Sequence, residues 1–423
     1  MATQQTAAQA QQAAASQNQT AALAIRNFAV RRVQSLNPQT VVPANNPTLT
    51  ITPSPVGLVL GLYVKVVSTV LNGSGVTINA TDFNAANSLG LIQFQDLANQ
   101  TRIQTTGYHV NMLNSWKGKR PYGAAMIGSS ATNTGAQTSS VAYVGQDDPT
   151  KYGSNWTVNS CPSTITSGGS GTVTQWYYVP LAYNPDNKHM PDFRGAIYAG
   201  TTAANLQLQL SFAGSTPGSS VCVANATDSL GAMFIGATAG SVAAVTITSA
   251  TVTVYQDYYD QIPDGQQFTG QPGILLPRQD ISTIYNLLNS TLTGMPANAE
   301  TGYQYANFRS FLSTIAIYTQ SATTGARGVG ADISYFALQA ANNSNIWKAE
   351  PAMFALATRQ HIGLDWPSGV YMFDSRQSPI NTQQFGVMQL VINPITASAD
   401  NYMAVLVESF QLLNAQGQSL PTA

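Results

Sequence analysis

Hydrophobic and polar positions alternate with a period of two in Leu206-Gln-Leu-Gln-Leu-Ser-Phe and in Val245-Thr-Ile-Thr-Ser-Ala-Thr-Val-Thr-Val-Tyr. That period marks strands with one buried and one wet face. Val56-Gly-Leu-Val-Leu-Gly-Leu-Tyr-Val-Lys-Val-Val is strand-like as well, and a second β region follows with Phe311-Leu-Ser-Thr-Ile-Ala-Ile-Tyr, Val370-Tyr-Met-Phe, Val387-Met-Gln-Leu-Val-Ile and Tyr402-Met-Ala-Val-Leu-Val-Glu-Ser-Phe. Between the two regions, Ile262-Pro-Asp-Gly-Gln-Gln and Gly270-Gln-Pro-Gly make the best domain boundary in the chain, because turn residues cluster there. Gly/Ser/Thr-rich stretches over 128–140, 164–174 and 213–240 read as long surface loops on a β scaffold.

Two segments carry helical signals. The spacing Ala22, Ile25, Ala29, Val33, Leu36 predicts a helix over about 20–36, with Arg32 intruding on its apolar face and Pro38 stopping it. Ala349-Glu-Pro-Ala-Met-Phe-Ala-Leu-Ala-Thr-Arg-Gln-His places Pro351 in a first turn and predicts a short helix inside the second β region.

The two β regions rhyme. In each, a Trp precedes an aromatic-rich strand (Trp176-Tyr-Tyr-Val-Pro-Leu; Trp366-Pro-Ser-Gly-Val-Tyr-Met-Phe), then comes an alternating strand (206–212; 387–392) and a closing one (251–255; 404–410). This faint repetition suggests two related β-sandwiches, the first enlarged by loops, and a sandwich with one helix beside its sheets is a jelly-roll variant of the kind that stacks into shells.

Composition narrows the function. Only 8% of the 423 residues are charged while 44% are hydrophobic, and 19 Tyr, 14 Phe and 5 Trp supply a large core, which excludes a disordered chain. Seventeen Lys and Arg against 18 Asp and Glu argue against direct nucleic-acid binding, which needs clustered cations. No stretch is long and apolar enough for a spanning helix, and the start Met1-Ala-Thr-Gln-Gln lacks the basic and apolar runs of an export signal, so folding in a cytoplasm is expected. One imbalance remains: the first acid is Asp82, so Arg26, Arg31, Arg32 and Lys65 make the amino-terminal segment cationic. It reads either as a helix packed on its own domain or as a basic amphipathic segment on a membrane or a neighbouring subunit, and the two are compatible.

Catalytic chemistry is missing from the pattern. His109, His189 and His361 stand apart, with no acid or Cys at metal-ligand spacing, and read as structural. There is no G-x-S-x-G, phosphate-binding glycine loop or H-E-x-x-H. Asp257, Asp260 and Asp264 miss the positions that wrap calcium and read as solvated acids of a turn, as do Asp147 and Asp148. Tyr177-Tyr178 and Tyr258-Tyr259 read as core on one face and interface on the other. Whether Cys161 and Cys222 pair is left open, with reduced thiols favoured in a chain without an export signal. No enzyme, cofactor or metal site is expected.

Several longer stretches, in order, resemble one family: Tyr255-Gln-Asp-Tyr-Tyr-Asp-Gln-Ile-Pro, Ile274-Leu-Leu-Pro, Asp280-Ile-Ser-Thr-Ile-Tyr-Asn-Leu, Gln304-Tyr-Ala-Asn-Phe-Arg-Ser-Phe-Leu-Ser-Thr-Ile-Ala, Asp365-Trp-Pro-Ser-Gly-Val-Tyr and Val391-Ile-Asn-Pro, with Trp176-Tyr-Tyr-Val-Pro-Leu-Ala-Tyr and the Gln/Ala-rich start in the first half. The chain is similar to the double jelly-roll major capsid proteins of tectiviruses, icosahedral bacteriophages with an internal membrane. The resemblance runs nearly end to end and departs from the family in the loops over 128–140 and 213–240.

It implies an all-β fold of two consecutive eight-stranded jelly rolls, with an N-terminal helix and a short helix in the second roll. The expected divisions are an arm over 1–47, a first roll over 48–262, a linker over 263–285 and a second roll with a C-terminal arm over 286–423. It further implies a homotrimer that meets neighbouring capsomers, a penton or vertex protein and minor capsid or membrane proteins, in a virion capsid assembled in the bacterial cytoplasm. Arg26, Arg31 and Arg32 would then face the internal membrane. The alternative is a phage spike, receptor-binding or carbohydrate-binding β protein.

Overall fold

A computed structural model describes residues 16–43, 48–80, 84–96, 99–117, 161–162, 164–187, 191–200, 205–212, 223–224, 233–236, 245–270, 272–277, 281, 283–293, 299–304, 310–321, 333–340, 344–362, 369–385, 388–394 and 401–412. A helix, α1, runs over 16–28, followed by β1 (Val30–Ser35), β2 (Gln39–Val41), β3 (Thr48–Ile51), β4 (Leu58–Asn72) and β5 (Ile78–Ala80). Then come β6 (Leu89–Gln95), β7 (Thr101–Thr105), α2 (Gly107–Lys117), β8 (Thr164–Ile165), β9 (Ser170–Pro180) and β10 (Ile197–Tyr198). The first half ends with β11 (Gln207–Phe212), β12 (Val223–Ala224), β13 (Phe234–Gly236), β14 (Val245–Asp260) and the one-turn α3 (Gln266–Thr269). The second half holds β15 (Thr283–Thr293), β16 (Thr301–Gln304), β17 (Ser310–Ser321), β18 (Ile333–Gln339), β19 (Asn345–Ala349), α4 (Pro351–Ile362), β20 (Val370–Asp374), β21 (Ile380–Asn381), β22 (Gln389–Pro394) and β23 (Asn401–Leu412).

Setting the two-residue β21 aside, the second-half strands, counted 1 to 8 in chain order, pair as β20-β17-β23-β15 and β16-β22-β18-β19. These are the orders 6-3-8-1 and 2-7-4-5 of a jelly roll. The first half repeats them. Without the short β5, β8, β10, β12 and β13, its sheets run β9-β4-β14-β1 and β3-β11-β6-β7, with strand 1 divided into β1 and β2, both paired to β14. The chain is a double jelly roll, and the rhyme seen in the sequence is this shared strand order: each closing strand, β14 or β23, lies beside strand 1 of its own roll.

The rolls are joined edge to edge. β7, strand 5 of the first, pairs in parallel with β15, strand 1 of the second, through Leu287↔Ile103 and Leu288↔Gln104, making one nine-stranded sheet. β23 shows how the seam is packed. Met403 and Val405 point into the second roll's own core, whereas Ala404, Leu406 and Phe410 join the core of the first. Burial on both faces explains why this strand reads as a nearly unbroken apolar run instead of an alternation.

Three expectations change. The helix predicted over 20–36 ends at 28, and 30–35 form β1, because the backbone there pairs along β14 from Val30↔Asp260 to Ser35↔Tyr255 and carries Arg32 outward. The segment expected to be an arm therefore already contains strand 1 of the first roll. The stretch 164–174 is no long loop, since it holds β8 and the start of β9, which continue the sheets through Ile78↔Ile165 and Leu71↔Ser170. The loop over 128–140 lies outside the described residues, as does most of 213–240, where only β12 and β13 are described.

Candidate functional site

Two places concentrate polar chemistry: the anchorage of the amino-terminal segment and the seam between the rolls. α1 buries Ala21, Ala22, Ala24 and Ile25 against Leu58, Leu60, Phe193, Tyr259 and Leu275, and Phe28 beyond them is exposed and packs on Phe268 with ring centroids 5.2 Å apart. Once β1 lies on β14, Arg31 sits diagonally across from Asp257, a spacing long side chains bridge. Its Nε donates to Asp257 Oδ1 at 2.9 Å and Nη2 to Oδ2 at 2.6 Å, the two-pronged geometry a guanidinium favours. Nη1 meets Asp186. The bonds to Asp257 outweigh burial and hold the Arg31 guanidinium still more firmly protonated than usual. Arg32 Nε lies 3.2 Å from Asp260 Oδ2, and Arg26 Nη1 donates to the Asn187 carbonyl at 3.0 Å. All three arginines singled out in the sequence thus meet groups of the same chain, Arg26 and Arg31 at the neighbouring residues Asn187 and Asp186, and carboxylates meet two of the three. The expectation that Asp257 is a solvated turn acid is overturned: it belongs to β14 and is fully buried under Arg31.

α2 is wedged into the seam with eight of its 11 residues buried. Trp116 Nε1 donates to Asp374 Oδ2 at 3.1 Å, and its ring stacks on His361 of α4 at 4.4 Å. Burial alone would raise the Asp374 carboxyl, but hydrogen bonds from Arg376 outweigh it and hold the group below the usual carboxylate range. Lys117 reaches across to Glu408, a fully buried carboxylate in β23. Glu408 also accepts from Tyr285 Oη at 2.7 Å and Thr314 Oγ1 at 2.8 Å, so both its oxygens are occupied. Burial lowers the Lys117 ammonium from its ordinary value against the pull of Glu408, and burial, then Glu408, pushes the Tyr285 phenol well above its own. Tyr183 bonds Ser313 at 3.0 Å and packs edge-on against Phe410. Beside the end of α2, a cleft of about 1660 Å³ opens between α1 and α4, lined by Ala22, Tyr183, Trp347, Met353 and Phe373 among others.

These groups suit adhesion more than catalysis. His109 is buried between Tyr108 and Tyr318, with Nδ1 near Thr106 Oγ1 and Asn289 Nδ2 at 2.8 and 3.1 Å; burial lowers its pKa well below the ordinary histidine value. Among the described residues no group of three or more His, Cys, Asp or Glu could hold a metal ion, and no helix is long and apolar enough to cross a membrane. Cys161 is a buried free thiol whose pKa burial raises, while Cys222, His189, Asp147 and Asp148 lie outside the described residues. Tyr177, Tyr258 and Tyr259 are buried, and half-buried Tyr178 packs on Tyr63 at 4.8 Å. Sequence reasoning missed α2, Lys117 and Glu408; the one visible signal was a lone Glu inside an apolar strand.

Comparison with known proteins agrees with this architecture. Residues 1–262 match the family model for the P3 major capsid protein N-terminal region, and 282–420 that for the P3 major capsid protein C-terminal region. The chain is 34% identical over 388 residues to major capsid protein P3 of Enterobacteria phage PRD1, covering 90% of this chain and 89% of that one. Among solved structures, the STIV MCP crystal structure aligns with a TM-score of 0.59 at 12% identity, covering 90% of this chain and 96% of the other. PBCV-1 VP54, fitted into a reconstruction of the virophage Sputnik, aligns with a TM-score of 0.51 at 13% identity, covering 94% and 98%. These two likenesses concern the fold.

Proposed function

The chain belongs to the P3 major capsid protein family and is a structural component of a phage virion, not an enzyme, and from that premise we propose that three copies close into one capsomer presenting six nearly equivalent jelly rolls. The observation that carries this reading is the identical strand order of the two rolls. Two like bodies per chain on a threefold axis make a pseudo-hexagonal tile, which can meet neighbouring capsomers on all sides. A formal net charge of −1 lets many copies crowd with little mutual repulsion. In this reading the tiles form an icosahedral shell in the bacterial cytoplasm, with vertex and minor proteins filling what the tile cannot. Membership in a capsid family replaces the spike and carbohydrate-binding alternative.

The reading extends to lipid. The amino-terminal segment, with Arg26, Arg31 and Arg32 along it, would face an internal membrane. Asp186, Asp257 and Asp260 already meet Arg31 and Arg32, so cationic attraction is largely matched within the chain, and exposed Phe28 carries more of the contact. Deleting residues 1–36 would remove β1 and so damage the first roll; substitution in the full chain is the cleaner test. Flotation with phosphatidylglycerol and phosphatidylcholine vesicles should show the intact protein bound and a combined Arg26→Glu, Phe28→Asp chain released. Equal flotation of both would remove the lipid-facing role.

A further inference from the structure

The parallel pairing of β7 with β15 places Leu287 against Ile103 and Leu288 against Gln104. Asn289 and Thr105 are the next residues of the two strands, so alternation returns them to the face on which Leu287 and Ile103 are buried. α2 meets that face with His109, which stands in its first turn. Thr105 and His109 are each 1% exposed. Three enclosed polar atoms of this corner, Thr105 Oγ1, His109 Nε2 and Asn289 Oδ1, have no hydrogen-bond partner in the chain. A polar atom buried without a partner costs more than an ordinary hydrogen bond gains.

The chemistry of these atoms says what would satisfy them. Burial keeps the His109 imidazole neutral at pH 7, so the ring carries one N–H. The backbone N–H of His109 faces Thr106 Oγ1 at 3.5 Å, which leaves the hydroxyl hydrogen for Nδ1 at 2.8 Å, and Asn289 Nδ2 lies 3.1 Å from the same ring nitrogen. Nδ1 is thus an acceptor, and the ring hydrogen sits on Nε2 with no acceptor to meet it. Asn289 Oδ1 is an acceptor with no donor. Turning the amide round exchanges the roles, with the hydrogen on Nδ1, a bare Nε2 and an unmet Asn289 N–H, and again leaves one donor and one acceptor. A cation is repelled by the unmet donor and an anion by the unmet acceptor. A small molecule that both donates and accepts fits, and the Thr105 hydroxyl can serve it in either role.

We propose that one water molecule is bound in the seam between His109 of α2, Thr105 of β7 and Asn289 of β15, where it completes their hydrogen bonds. Buried waters make about three such bonds and are costly to remove. Because α2 and β7 belong to the first roll and β15 to the second, the bonds of this water run from one roll to the other. The rings of Tyr108 and Tyr318, centred 4.0 and 4.1 Å from the imidazole, hold it between them, so Nε2 keeps its direction. α2 is then fixed to the second roll near both ends: by the water at His109 in its first turn, and by the ion pair with Glu408 at Lys117, its last residue.

A crystal structure of the full-length protein, at a resolution that shows ordered water, tests the site directly. The expected result is a single spherical peak about 2.7–3.2 Å from His109 Nε2 and within the same range of the Asn289 side chain or Thr105 Oγ1. No peak there, or an Nε2 already bonded to a protein acceptor, overturns the site. In solution the sign of one substitution decides the part of Thr105. Thr105→Val keeps the β-branched shape and removes the hydroxyl. If that hydroxyl bonds the water, the melting temperature of the full chain falls by about 1–2 °C. A hydroxyl with no partner gives the opposite sign, since its removal relieves a buried polar group. A raised or unchanged melting temperature therefore overturns the role of Thr105.

Discussion

Lys117, the last residue of α2 in the first jelly roll, reaches Glu408 in the central strand β23 of the second, so the only charge on that stretch of strand is met from across the seam. Removing one partner of a buried ion pair strands the other. Lys117→Met should destabilise the chain by about 3–5 kcal/mol, while Lys117→Met with Glu408→Leu should recover most of that loss. Thermal denaturation of the two variants against the parent measures both.

His109 makes the protein sensitive to acid. Its pKa in the folded chain lies well below the ordinary value of 6.5, because burial disfavours the imidazolium. The unfolded chain therefore binds the proton first as pH falls. The contribution of a neutral, buried His109 is fully present above about pH 6.5 and declines below it, by at most about 1.4 kcal/mol per pH unit. Denaturant titrations between pH 7.5 and 5 should show this slope in the parent and a shallower one in His109→Gln.

Arg31 holds β1 to its sheet through a buried acid 226 residues away in sequence. Because Asp257 is fully buried and Arg31 partly exposed, Arg31→Ala should cost about 2–3 kcal/mol, below the value for a wholly buried pair. Hydrogen exchange read peptide by peptide should show faster exchange over 30–35 in this variant, with the second roll unaffected.

Gly195 stands where the rolls meet, at φ +86°, and a Cβ there would fall 2.4 Å from Tyr285 Cβ and 2.5 Å from the Leu181 carbonyl oxygen. Both the backbone conformation and the close approach exclude a side chain. Gly195→Ala should lower stability by about 2–4 kcal/mol, read as a drop in melting temperature, since neither neighbour can yield without moving a strand.

What the sequence made legible follows from how local each signal is. β11 alternates because one face is wet, with Leu208, Leu210 and Phe212 inside, and α4 announces itself through Pro351 in its first turn. α2 gives no such signal. Both of its sides are covered, so apolar and polar residues such as Met112, Asn114 and Trp116 follow no simple stripe. The segment of β1 carries a helical pattern because Ala29, Val33 and Leu36 fall at helical spacing by coincidence, whereas the reason it is a strand lies in Asp257 and Asp260, which only the fold brings near. The arginines were visible in the sequence; their partners were not. The resemblance to a capsid family is legible because several long stretches carry it in the same order, from Trp176-Tyr-Tyr-Val-Pro-Leu-Ala-Tyr to Val391-Ile-Asn-Pro.

The central claim is that three chains present six like bodies around one axis. Electron microscopy of the purified full-length protein, averaged without imposed symmetry, tests it most directly. The expected view down the axis shows six lobes in a near-hexagon that repeats every 120°. Two-lobed particles at every concentration, or rings built from any number of chains other than three, would contradict it.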